Sequence, residues 1–381
     1  MTRISTPARR VAFFWVNFGP MHADRVDAVA RLDDLSCVGV ELYAKDPTYD
    51  WKAEKRESFE KFTLFPAEAA PSTLRRLWAL LRIIRRVKAK DWFLCHYEKL
   101  DVLLFAFALR VSGHRVFTMG CSKFDDKPRG AFGEALKSFF LLPYLGAISS
   151  PRRSADYFRF LGLRRRPVVE QYNTLSLDRI RNAAGTEPAP AGAAFGDRDF
   201  VIVARFVEKK NLPMALDAFK RFTERYPSEC RLHMCGAGPM EATLRAMVAE
   251  LELGDRVVFH GFLQSDDVAR LLAQGLALIL PSTEEQFGNV VIEAQAMGLP
   301  VLISEPSGAR DILVRNWQNG FVFEPDNPEG LAEYMRLVAS DEALWRRLCA
   351  GASAVAPRGD VATFAAGVAQ LLSAQRARNG T

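Results

Sequence analysis

Two glutamates eight residues apart, Glu285 and Glu293, flank the turn Phe287-Gly288-Asn289. Gly288 lets a backbone come close to a ligand. Asn289 is placed to cap a helix starting at Val290, whose N–H groups and dipole suit a phosphate or sugar hydroxyls. The two carboxylates, one on the loop and one a turn into the helix, can each accept hydrogen bonds from paired hydroxyls such as a ribose or hexose presents. Upstream, Arg205 and Lys210 follow the apolar run Phe200–Ala204. Two permanent cations at that point would lie beside a diphosphate and stabilise the charge that builds as it leaves. Taken singly, each of these residues is a solvated surface charge.

The positioning elements are short apolar runs alternating with helical periodicity. Val11–Val16, Trp92–His96 and Val116–Met119 read as buried strands, with helical spacing over Ala23–Leu32 and Asp101–Val111. Residues 183–197 (AAGTEPAPAGAAFGD) read as an interdomain linker. The alternation then restarts. Phe200–Ala204, Arg231–Cys235, Val257–His260, Ala277–Leu280 and Val301–Ser304 are strands, with helices over 212–222, where Asn211 is the N-cap, and over Val290–Met297, Pro328–Ser340, Ala343–Gly351 and Val361–Ser373. The class is α/β with two Rossmann-like doubly wound domains: residues 1–182, then the linker, residues 198–358, and a terminal helix in 359–381. A ligand would sit between them, outside the carboxyl ends of the strands.

The totals agree with this. A chain of 381 residues, 49% hydrophobic and 25% charged, is globular and long enough for two cores. Its net charge of +6 favours anionic partners. The six cysteines form no C-x-x-C pair and the five histidines no ligand cluster, so neither a disulfide framework nor a metal site is expected. The apolar run after Arg9-Arg10 is too short for a signal peptide and no stretch reaches a membrane span, which gives a cytoplasmic expectation. Nucleic acid fits the charge, but no recognition module is present.

In order, Glu285, Glu293-Ala294, Ala296, Gly298 and Pro300-Val301 resemble the E-x7-E and EA-x-A-x-G-x-PV signature of glycosyltransferase family 4, retaining enzymes of the two-Rossmann-domain GT-B fold. Ala204-Arg205-Phe206 with Lys210-Asn211 resembles the family's second motif, with Ala204 where a glycine is usual. Gly236-x-Gly238-Pro239, Val258–Gly261, Asp311 and Asn319-Gly320 are weaker matches, and the resemblance covers roughly Phe200–Pro325. It implies two domains facing a central cleft, with the C-terminal helix crossing back to the first. It also implies a nucleoside diphosphate sugar as donor and a glycan or lipid-linked acceptor, with no metal or other cofactor. Catalytic roles then fall to Glu285, Arg205 and Lys210, and donor binding to Glu293, Phe287, Gly288, Asn289, Val290, Gly236 and Gly19. The work of such enzymes suggests bacterial surface or exopolysaccharide synthesis. A sugar-nucleotide epimerase or hydrolase, or an inactive binding subunit, would keep the same donor site. A dinucleotide oxidoreductase lacks its G-x-G-x-x-G here.

The first domain departs from the pattern. Gly120 stands where the family's catalytic histidine would follow the strand Val116–Met119, and the polar run Ser122–Arg129 comes after it. The acceptor or sugar pocket is assigned to His22, His96, Lys123 and Asp125, with His22 equally readable as an ordinary loop histidine. Asp125-Asp126, being adjacent, does not resemble an alternating D-x-D metal pair. The stretch 72–90 (STLRRLWALLRIIRRVKAK) puts Leu77, Leu80, Leu81, Ile84 and Val87 on one helical face with cations around it. It reads either as an amphipathic helix packed on the core or as a peripheral contact with an anionic membrane, to which Phe132–Leu142 would add apolar surface.

Overall fold

The computed structural model of the chain describes residues 9–44, 56–66, 71–126 and 128–379, with side chains of the last helix described through Ala374. Lys127, in the polar run after Gly120, lies outside the described residues, as do residues 1–8 of the first domain. The elements, in chain order, are β1 (Arg9–Trp15), α1 (Pro20–Ala30), β2 (Leu35–Tyr43), β3 (Glu60–Phe65), α2 (Thr73–Val87), β4 (Asp91–Cys95), α3 (Leu100–Val111), β5 (Arg115–Gly120), α4 (Ala131–Phe140), β6 (Ala147–Ser149), α5 (Arg152–Phe158) and β7 (Val168–Val169). There follow α6 (Leu177–Ala184), β8 (Asp199–Val203), α7 (Leu212–Arg225), β9 (Leu232–Cys235), α8 (Glu241–Glu250), β10 (Val257–Gly261), α9 (Ser265–Ala273) and β11 (Gly275–Leu280). The chain ends with α10 (Val290–Ala296), β12 (Val301–Ser304), α11 (Arg310–Leu313), β13 (Gly320–Phe323), α12 (Pro328–Ser340), α13 (Glu342–Val355) and α14 (Val361–Asn379).

Two compact units result. The first takes Met1–Phe124, Pro128–Leu175 and Val361–Thr381; the second takes Ser176–Asp360 together with 125–127. Each has one parallel sheet, in the order β3-β2-β1-β4-β5-β6-β7 and β10-β9-β8-β11-β12-β13. Both orders reverse direction beside their first strand, the doubly wound Rossmann arrangement.

In the first unit β1 is central and buried on both faces, which explains its unbroken apolar run. Ala12 and Phe14 join α2 and α3 in one core layer, while Val11, Phe13 and Trp15 join α1 and α14 in the other. At the start of β1, Arg9 Nε lies 2.6 Å from the buried Asp91 carboxylate, which Arg115 also holds at 2.7 Å. The strands β2, β3, β6, β7 and β13 went unrecognised in the sequence. Three of these are two to four residues long, and β3 is an edge strand with little burial, so periodicity has too few positions to register in these four; β2, nine residues long and mostly buried, has no such reason.

Residues 183–197 are not a linker. The division between units falls at Leu175 and Ser176, and α6 packs against α9 within the second unit. Small residues are what let this segment pack closely: the Ala189 N–H donates to the Met297 carbonyl at 2.9 Å, and a Cβ on Gly298 would come within 2.3 Å of the Ala189 oxygen. Buried Arg198 then ties the segment down, donating to the carbonyls of Ala191, Ala193, Ala273 and Gly275. Composition that usually marks flexible chain here marks tight backbone contact.

The terminal helix α14 belongs to the first unit, where Phe364, Val368 and Leu371 are wholly buried beside α1. Phe364→Ala is expected to cost about 3–5 kcal/mol of that unit's stability. Urea unfolding followed by a probe in each unit would show the loss in the first transition and leave the second in place.

Candidate active site

In the second unit the strand order reverses between β8 and β11, and the loops that leave these two strands carry the predicted donor residues. After β8 come Ala204, Arg205 and a 3₁₀ turn over Glu208–Lys210; after β11 comes Pro281–Asn289. Ala204 is not among the described non-glycine residues with positive φ, so its methyl group replaces the usual glycine hydrogen without backbone strain. Arg205 is exposed and Lys210 is partly buried.

The two loops are bound to each other. Lys210 Nζ donates to the Glu285 carboxylate in a close ion pair, both side chains mostly shielded from solvent. The Thr283 N–H donates to the Lys209 carbonyl at 3.0 Å. Asn211 adds a staple, its amide donating to the carbonyls of Pro281 at 3.2 Å and Pro325 at 2.6 Å. This corrects the expectation that Asn211 caps α7. The residue adopts a left-handed φ of 53°, and its side chain, turned to the loops at Pro281 and Pro325, makes no cap bond. Asn289 likewise makes no side-chain cap bond on α10, because its backbone is already helical (φ −57°, ψ −29°).

Within the β11 loop, Gly288 has φ of 99°, and a Cβ there would sit 2.7 Å from Leu280 Cδ2. The N–H groups of Gly308 and Ala309 fix the carbonyls of Glu285 and Phe287 at 3.2 and 2.8 Å. Phe287 and Val290 turn their side chains into the core, so only their backbones are available to a ligand. Gly236 acts from behind. With φ of 146°, its missing Cβ would overlap the Ala204 carbonyl oxygen at 1.8 Å, so the glycine lets β9's turn support the strand end that carries Arg205. It is a positioning residue for that loop.

Glu293 lies on α10, partly buried. Among the described residues its carboxylate accepts no side-chain hydrogen bond. Burial pushes its pKa up to about 7, against the pull of Arg179 on α6. A half-shielded carboxyl with unused acceptor capacity is suited to paired hydroxyls.

The first unit has its own reversal between β1 and β4, and a second polar group collects there. Buried Gly19 begins α1, and its N–H donates to His22 Nδ1 at 3.0 Å, with His22 stacked on Trp15 at 4.7 Å. Burial, then the nearby charges of Arg25 and His96, hold the His22 pKa well below 6.5. The ring is therefore neutral, its Nδ1 accepting from Gly19 while the Asn17 backbone also hydrogen-bonds the ring. His96 follows β4 in a left-handed backbone (φ 62°). Burial opposes its charge, but Cys95 and Glu98, the latter 3.6 Å from Nδ1, prevail and push its pKa up to about 10. Cys95 and Met119 are register partners on adjacent strands, so His96 and Gly120 are the next positions on each. A histidine thus stands one strand away from the place where Gly120 lacks one.

Tyr172 was not visible as a site residue. Its hydroxyl accepts from Trp15 Nε1 at 2.9 Å and lies 3.4 Å from Cys95 Sγ, while the Arg25 guanidinium sits 4.8 Å from its ring. No spacing rule links residues so far apart in the chain. Lys123 is buried, whereas Asp125 is exposed on the 3₁₀ turn Phe124–Asp126. The structure gathers His22 and His96, whose charges act on each other. Among the described residues no three His, Cys, Asp or Glu side chains come together as a metal site.

Two parallel Rossmann-like units with this strand order define the GT-B class, and solved structures agree. The chain superposes on sucrose-phosphate synthase from Thermosynechococcus elongatus with a TM-score of 0.74, at 18% identity over 97% of this chain and 100% of that one. It superposes on Anabaena HepE in complex with UDP with a TM-score of 0.72, at 18% identity over 96% and 100%. Residues 186–355 match the family model described as glycosyl transferases group 1. Among curated relatives, the putative colanic acid biosynthesis glycosyltransferase of Escherichia coli is 30% identical over 152 residues, 38% of this chain and 37% of that one. The matched stretch spans about two fifths of the length of the curated relatives.

The folded chain holds the Glu293 proton to about pH 7, whereas an unfolded glutamate releases it near 4.5. Stability therefore falls as pH rises through that window. Glu293→Gln should raise the melting temperature at pH 8 and leave it unchanged at pH 5, as differential scanning calorimetry would show. The two histidines should titrate in opposite directions. NMR of the ring protons, assigned with His22→Gln and His96→Gln, should find His22 neutral and His96 protonated in the same sample near neutral pH.

Proposed function

We propose that the protein is a retaining glycosyltransferase that moves a sugar from a nucleoside diphosphate to a hydroxyl of a glycan or lipid-linked acceptor, in bacterial surface or exopolysaccharide synthesis. The observation that carries this is the Lys210–Glu285 ion pair between the loops after β8 and β11, with Arg205 on the first of these loops and the Glu293 carboxyl on the helix after the second. A structural relative solved with UDP, and relatives named for polysaccharide synthesis, support the donor class and the setting.

In this reading Glu293 accepts hydrogen bonds from the ribose hydroxyls. Glu285 and the backbone of Phe287–Asn289 hold the donor hexose. Arg205 and Lys210 neutralise the diphosphate; an ammonium has three donors, and Glu285 occupies one, so Lys210 is held in place with capacity left for phosphate. During transfer the bond from the anomeric carbon to the phosphate oxygen breaks and the bond to the acceptor oxygen forms on the same face. The acceptor's proton passes to the leaving phosphate, so no side-chain nucleophile is needed. The two cations supply the charge stabilisation, and no metal is assigned a part. Acceptor recognition is assigned to His22, His96 and Lys123 of the first unit together with Asp125.

Nucleotide release from a panel of nucleotide sugars should depend on added acceptor, and NMR of the product should show retained anomeric configuration. Release that ignores acceptor would point to a hydrolase, and tight binding without turnover to a binding subunit. Arg205→Ala and Lys210→Ala should each lower turnover about 10²–10³-fold; normal rates in both would overturn the assignment. Glu293→Gln should weaken nucleoside diphosphate binding about tenfold by calorimetry at pH 8.

A further inference from the structure

The first unit is unusual on the side away from α1 and α14. Helices α2, α3 and α4 all pack over the same core layer, which α4 joins through Phe140 and Leu141. Helix α4 is amphipathic in the reverse sense. Its carboxylate Glu134 is 7% exposed, held by Tyr157 Oη and Lys137 Nζ, each at 2.6 Å, and by Arg129 at 3.4 Å. Phe132, Leu136 and Phe139, at i, i+4 and i+7 on one face, point outward, with Phe132 85% and Phe139 63% exposed. Leu100, Leu104, Phe107 and Val111 repeat this spacing on the outer face of α3.

Helix α2 adds charge. Its inward face carries Leu80, Ile83 and Val87, as an ordinary core helix would. Its outward face carries Leu74 and Trp78, the latter 63% exposed, with Arg75, Arg82, Arg85 and Arg86 between and beside them, and the helix has no acidic residue. Leu74, Trp78, Arg75, Arg82 and Arg86 also line a groove of about 690 Å³ against β3. Of the large apolar side chains exposed among the described residues, all but Phe262 and Trp317 belong to the first unit.

From this we infer that the outer layer of α2, α3 and α4 is a docking face for an anionic phospholipid bilayer, into which the α4 and α3 stripes insert while the α2 arginines meet the head groups. The charge on α2 selects this occupant. Apolar rings interleaved with uncompensated arginines match an interface whose apolar interior lies beneath phosphate, and each arginine near such a surface strengthens binding about fivefold. Apolar side chains spread over three helices of one layer also make a broad face rather than a cleft for one peptide. No helix among the described residues is long and apolar enough to cross a membrane, so the attachment is peripheral. The inference goes beyond the donor-site reading and does not depend on it.

Vesicle flotation tests it with the full chain. The protein should float with vesicles of phosphatidylcholine mixed with phosphatidylglycerol at least tenfold more than with phosphatidylcholine alone, and salt should weaken the binding. Phe132→Ser, Leu136→Ser and Phe139→Ser together should reduce flotation more than tenfold. Arg82→Glu with Arg85→Glu should abolish the preference for phosphatidylglycerol. Melting curves and nucleotide binding, which report the fold and the second unit, should not change. If the serine variant fails to fold, the arginine variant, altered only at exposed side chains, still decides the matter. Failure of the unmodified protein to float, or flotation of both variants like the parent, would overturn the inference. So would a dimer in sedimentation that the serine variant dissolves while no vesicle binding is seen, because a second copy would then cover the face.

Discussion

Everything in the donor half depends on one topological constraint, the reversal of strand order beside β8. Parallel strands joined by right-handed crossovers place their connecting helices on one face while the order runs one way and on the other face after it reverses. The helices that follow β8 and β11 therefore lie on opposite faces of the sheet, while the loops leaving the two strands stay side by side and bond to each other. That is why Arg205, Lys210 and Glu285, distant in sequence, share one place. The other glycine-rich turn, at Gly236, serves the same place from behind by letting β9's end press against the Ala204 carbonyl.

Charge at this place is balanced rather than merely positive. Lys210 is shared with Glu285, the loops are stapled by Asn211, and Arg205 stands exposed on the first of them. Glu293 illustrates the cost of holding a site ready. Its carboxyl is kept where burial disfavours charge, with no side-chain hydrogen bond to offset that among the described residues. Such a group lowers the stability of the free protein at high pH and becomes useful when hydroxyls reach it.

The first unit follows different rules on its two sides. Toward α1 and α14 it buries apolar residues and keeps a compact polar group around Trp15, His22, Cys95 and Tyr172. On the other side α4 buries its glutamate among Arg129, Lys137 and Tyr157 and turns phenylalanines outward. A helix arranged that way gains nothing from water on its outer face, and the arginines of α2 nearby tell what kind of apolar surroundings it meets.

Much of the fold was legible in the residues themselves. The long apolar runs at β1, β4, β8 and β11 and the helical spacing after them state a doubly wound α/β chain, because burial on both faces demands continuous apolar strands. The ordered motif from Glu285 to Val301 and the pair Arg205 and Lys210 single out the candidate site, because those residue types suit strand ends that meet phosphate and sugar hydroxyls. What local pattern could not carry was decided by packing. Residues 183–197 look like free linker but are pinned by Arg198 and by the close approach of Ala189 to Gly298. Asn211 and Asn289 look like helix caps, yet the backbone they adopt sends their side chains elsewhere. The opposite charge states of His22 and His96 depend on Arg25, Cys95 and Glu98 being brought around them, and a pKa is set by such neighbours and by burial, neither of which is written in sequence spacing. The direction in which α4 turns its phenylalanines is of the same kind. Its periodicity shows that it has two faces, and only the buried partners of Glu134 decide which of them is outside.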